Sequence, residues 1–104
     1  MNVKAYRTMT EAVQDLKQRG FTANFELLGG RFRAVETGKT FEPSDLTIVA
    51  HYRFEGMSDP DDLSILYAIE TNDGTRGLIA DAYGPYANAD LAAFLRTVPL
   101  HEEI

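Results

Sequence analysis

The chain has 104 residues, with Lys+Arg 10 against Asp+Glu 16 and a formal net charge of -6. That excess of acid argues against an electrostatic hold on nucleic acid or on an anionic membrane surface, and the length suits one small domain over residues 1–104. At 44% hydrophobic and 25% charged, the chain has the apolar content to fold, and with no cysteine it excludes disulfides, thiolate nucleophiles and cysteine-containing zinc sites. His51 and His101 are the only imidazoles. The strongly apolar runs Leu46–Ala50 and Leu63–Ile69 are too short to span a bilayer, and Met1–Asn2–Val3–Lys4 leads into polar residues. A cytoplasmic location is the expectation.

Charge is distributed unevenly. Residues 1–40 hold seven cations and four anions, whereas residues 41–104 hold Arg53, Arg76 and Arg96 against twelve anions.

Met9, Ala12, Val13 and Leu16 form one apolar stripe at helical spacing. Thr8 and Glu11 have capping-box spacing, and Gly20 stands where a left-handed terminal residue is wanted, so the pattern predicts a helix from about Thr8 to Arg19. The period then changes to two. Phe21, Ala23, Phe25 and Leu27 alternate with polar residues up to Gly29–Gly30, a two-residue turn that sets Leu27 opposite Phe32, Phe25 opposite Ala34 and Glu26 opposite Arg33.

Thr37 to Ser44 reads as a connection broken by Gly38 and Pro43. From Leu46 to Glu55, Ile48, Ala50, Tyr52 and Phe54 fall on one strand face, with Val49, His51, Arg53 and Glu55 on the other. A loop follows from Gly56 to Asp62. Ser64–Asn72 and Thr75–Tyr83 flank Asp73–Gly74, a type I′ hairpin signal that pairs Ile69 with Leu78, Tyr67 with Ala80 and Leu66 with Asp81. After Tyr83–Gly84–Pro85–Tyr86, Asn88 caps a second helix with the stripe Leu91, Phe94, Leu95 and Val98, and Pro99 stops it. Residues 99–104 are expected as a loose tail. The predicted fold is α+β: an antiparallel sheet of four to five strands built from hairpins, with the N-terminal and C-terminal helices packed on one face.

Four carboxylates, Glu55, Asp59, Asp61 and Asp62, gather around the Gly56–Asp62 loop and offer hard oxygen ligands to a divalent cation. The spacing departs from an EF-hand because position 63 is Leu and no terminal glutamate follows, so a solvated acidic loop is the plainer reading. His51 shares its strand face with Arg53, but no nucleophile elbow accompanies it, and no catalytic residue is assigned. Tyr83 and Tyr86 flank Gly84–Pro85 and suit a recognition loop. The candidate binding residues are thus Tyr83, Tyr86, His51, Arg53 and Asp81, with no cofactor called for.

The stretch His51-Tyr52-Arg53-Phe54-Glu55-Gly56-Met57-Ser58-Asp59-Pro60-Asp61-Asp62 resembles a family of small bacterial proteins of unknown function. Ile65-Leu66-Tyr67-Ala68-Ile69, Asn72-Asp73-Gly74 and Asp81-Ala82-Tyr83-Gly84 extend the likeness, as do Glu11-Ala12, Leu16-Lys17 and Arg19-Gly20-Phe21. Some members are labelled phosphoribosylpyrophosphate synthetase. The residues argue against that activity here, since Asp61–Asp62 precede a strand and Asp73–Gly74–Thr75 lies in a hairpin with no helix behind it to receive phosphate. The expected function is a non-catalytic module that binds a protein partner or pairs with itself. The alternative is a binder or enzyme for a phosphoribosylpyrophosphate-related small ligand, using the acidic loop with a divalent cation.

Overall fold

A computed structural model describes residues 6–54, 64–82 and 88–101. Helix α1 runs Met9–Gln18, with the Thr8 hydroxyl accepting from the Glu11 backbone N–H at 3.1 Å. Its other end closes as expected. Gly20 takes φ 103°, and the backbone N–H groups of Phe21 and Gly20 donate back to Leu16 and Lys17.

Strands β1 (Ala23–Leu28) and β2 (Arg31–Ala34) form the first hairpin in the register read from the sequence, Phe25 opposite Ala34 and Leu27 opposite Phe32. Gly29 and Gly30 both have positive φ, as a type I′ turn requires, and Glu26 pairs with Arg33 across the ladder. A two-residue strand, β3 (Thr40–Phe41), pairs with β2 inside the segment read as a connection. It is too short to carry any periodicity. A single 3-10 turn, Pro43–Asp45, leads to β4 (Leu46–Phe54), followed by β5 (Ser64–Thr71), β6 (Arg76–Ala82) and α2 (Ala89–Arg96).

The six strands lie in the order β3-β2-β1-β6-β5-β4. Two features of the expected sheet are corrected. Six strands are present instead of four to five, and β1 runs parallel to β6, so the sheet is mixed rather than wholly antiparallel. The sheet also bends sharply. Five strand spacings of about 4.8 Å would set the outer strands of a flat sheet about 24 Å apart, beyond the reach of a connection as short as Glu42–Asp45. Lys39, just before β3, accordingly reaches Asp73 in the β5–β6 turn.

The helices pack on opposite faces, not on one. Leu91, Leu95 and Val98 of the α2 segment bury with Phe25, Phe32, Phe41, Ile48, Ile69 and Ile79, one cluster drawing on all six strands and therefore lying inside the bend. Ala12 and Leu16 of α1 bury with Ala50, Phe54, Leu66, Ala68 and Leu78 on the outer face. Both faces of β5 are apolar, so a helix on one side alone would leave the other bare. Where the sequence suggested a loose tail, residues 99–101 lie along β4: the Ile48 N–H donates to the Pro99 carbonyl at 2.8 Å, and the His101 N–H donates to the Ile48 carbonyl at 2.9 Å. Residues 102–104 lie outside the described residues.

Two register events decide which side chains share a face. The β5–β6 connection is a three-residue loop, with Thr71 donating to the Thr75 carbonyl at 2.8 Å and Gly74 donating to the Thr71 carbonyl at 3.1 Å. Type I′ needs positive φ at both central residues, and among the described residues only glycines have it, so Gly74 at φ 90° closes a type I turn instead. Every pair shifts by one. Ile69 faces Gly77, Tyr67 faces Ile79, and Asp81 faces Ile65 rather than Leu66. In β4 the ladder slips between Ile48 and Ala50, leaving Val49 as the extra residue of a bulge. Ile48 therefore points to the inner face and Ala50, Tyr52 and Phe54 to the outer one, not all to a single face as alternation predicts.

Candidate functional site

Together these two events bring three candidate residues onto the inner face at one end of the sheet. Arg53 lies opposite Ile65, which lies opposite Asp81; two residues further in, His51 lies opposite Tyr67, which lies opposite Ile79. Without the bulge, an Ile48 facing inward would send His51 and Arg53 to the outer, α1 side. Without the three-residue loop, Asp81 would face outward beside Leu66. The arrangement thus depends on a bulge and a turn that propensity does not reveal.

The local geometry is close. The rings of His51 and Tyr67 stack with centroids 6.4 Å apart and planes 26° from parallel. Burial pushes the Tyr67 phenol up from its ordinary pKa; the Asp81 carboxylate adds to the rise, and the Arg53 guanidinium opposes it. The phenol therefore keeps its proton at neutral pH and serves as a hydrogen-bond donor. Asp81 is half-buried, and its Oδ1 accepts from the Asn88 backbone N–H at 3.1 Å. Asn88 in turn caps α2, its Oδ1 accepting from Asp90 at 3.0 Å and Leu91 at 3.2 Å. Asp81 thus orders the start of α2, where the helix dipole favours a negative charge.

Arg53 is exposed at the rim, and His51 is half-buried. The cluster holds a cation, a carboxylate and two flat rings with polar tips, groups that bind more readily than they break bonds. Tyr67 is the member that sequence reasoning missed, because its place in an alternating strand marks it as core. Only the correct hairpin register shows it beside Asp81.

The remaining sequence candidates, Tyr83, Tyr86, Glu55, Asp59, Asp61 and Asp62, lie outside the described residues. Among the described residues no three His, Asp or Glu side chains gather to hold a metal ion. The described sheet does establish where those segments attach. Phe54 lies opposite Ser64 and Ser64 opposite Ala82, so residues 55–63 and 83–87 both join the sheet at the end that carries Arg53 and Asp81. No family model, curated protein or solved structure matches the chain. Among the described residues no helix is long and apolar enough to cross a membrane.

Proposed function

We propose that this chain is a non-catalytic, cytoplasmic binding domain that recognises a basic segment of a protein partner at the end of the sheet bearing His51, Arg53, Tyr67 and Asp81. The observation that carries this reading is the side-by-side register of Phe54, Ser64 and Ala82. It attaches to one end of the sheet the two segments whose sequence holds Glu55, Asp59, Asp61, Asp62, Tyr83 and Tyr86. Against those carboxylates and Asp81, Arg53 is the cation that this end of β4 contributes. The resulting negative field steers a cationic partner, and the stacked His51 and Tyr67 rings offer a face over which an arginine or lysine can lie.

Selection from a random peptide library displayed on phage tests the proposal. Peptides rich in Arg and Lys are expected to emerge, with affinities that fall as salt rises. Asp81→Asn keeps an oxygen to accept from Asn88 while removing the charge, and it is expected to weaken the selected peptides about fivefold to tenfold. Selection of no basic peptide, or affinities indifferent to both salt and Asp81→Asn, sinks the reading. The resemblance to bacterial proteins labelled phosphoribosylpyrophosphate synthetase supplies the competing outcome: shifts in the His51 and Tyr67 signals on titration with Mg²⁺ and phosphoribosylpyrophosphate.

A further inference from the structure

Strand β4 stands last in the strand order and spans nine residues, Leu46–Phe54, among them Thr47, Ile48, Val49, Tyr52 and Phe54, all residue types that favour strands. A long edge strand of that composition readily takes up another strand unless something covers it. In this molecule the cover at Ile48 is the chain's own segment 99–101, lying parallel to β4 and bonded to both the N–H and the C=O of Ile48. The cover is thin. Val98 is buried and anchors the segment beneath α2, whereas Leu100 is 59% exposed and His101 is exposed as well.

We propose that residues 99–101 are a displaceable guard on a self-pairing edge, and that when they leave, the β4 strands of two copies pair antiparallel about Ile48. Ile48 directs its N–H and its C=O to the same side, away from β5, as the bonds to Pro99 and His101 require. In an antiparallel pair those are the two groups that a residue exchanges with the residue opposite. Pairing of β4 with itself about Ile48 therefore sets Ile48 against Ile48 of the second copy, each donating to the other. The contact is self-complementary, as a twofold interface must be. The inference uses the edge of β4 and does not depend on the binding site at the end of the sheet.

His101→Pro removes the donor to the Ile48 carbonyl and leaves the core intact, so it is the first test. In dilute, monomeric protein hydrogen exchange at the Ile48 amide is expected to quicken roughly tenfold or more, and sedimentation is expected to show a dimer growing with protein concentration, with Ile48 protection returning as it forms. A peptide of residues 97–104 added in excess is expected to return the variant to monomer and restore Ile48 protection. A chain ending at Val98 repeats the measurement should the proline lower helix content. Unchanged Ile48 exchange in the dilute monomer, an exposed Ile48 amide in a chain that stays monomeric as concentration rises, or a dimer that the peptide does not dissociate would each overturn the proposal.

Discussion

Asp73 shows how one exposed side chain can tie together parts of the chain far apart in sequence. Its carboxylate receives Lys39 from the far side of the bend, the Thr71 hydroxyl and the Thr75 backbone N–H, and these bonds, led by Lys39, hold its pKa well below the ordinary aspartate value. A carboxylate with a depressed folded-state pKa contributes stability above its unfolded pKa and loses it as pH falls toward the folded one. Thermal melts between about pH 5 and pH 3 should therefore show the native protein losing more stability on acidification than Asp73→Asn, which starts lower at neutral pH. Gly77 illustrates a different constraint. A Cβ at this position would come within 2.4 Å of the Ala23 carbonyl oxygen, a backbone atom on the parallel neighbour. Gly77→Ala should cost about 1–3 kcal/mol in chemical denaturation, because β1 and β6 must move apart to admit one methyl group.

At the scale of elements, the bulge at Val49 matters most. It places Val49 and Ala50 together against α1 and turns His51 and Arg53 to the inner face. Deleting Val49 removes the extra residue, so Ala50 follows Ile48 in a plain ladder, His51 stays stacked on Tyr67, and stability should fall by about 3 kcal/mol through lost packing under α1. A retained ring-current shift on His51 would report the kept pairing, and denaturant unfolding the loss of stability. A His51 signal that lost its stacking shift in the deletion variant would mean that Val49 is not the extra residue of the ladder. Helix α1 offers a contrast. The Thr8 cap, the Met9–Leu16 stripe and the Gly20 stop are all local features, and all stand where the sequence puts them.

Across the whole molecule, the acid excess acquires a direction. The -6 charge counted along the chain does not say where the carboxylates meet, whereas the row Phe54–Ser64–Ala82 gathers the attachments of both candidate loops at one end. If that end attracts cations, Arg53→Glu should strengthen binding of the selected basic peptides severalfold at low salt, with the gain disappearing as salt rises. Equal binding by Arg53→Glu and the native chain would show that the local field plays no part.

Local chemistry alone made both helices legible, with their caps, and so too the β1–β2 hairpin down to the Glu26–Arg33 pair. Each depends on residues within a few positions of one another. Three things were decided only by the tertiary structure. The parallel pairing of β1 with β6 and the bend that draws β3 toward β4 rest on contacts between distant segments, which periodicity cannot report. The division of the helices between two faces follows from β5 being apolar on both sides, a pattern that alternation misreads. The meeting of His51, Arg53, Tyr67 and Asp81 needed both a bulge and a one-residue change of turn. Because side chains alternate with a period of two, a single extra residue exchanges inside for outside, and only the packed sheet determines which register buries the more apolar surface.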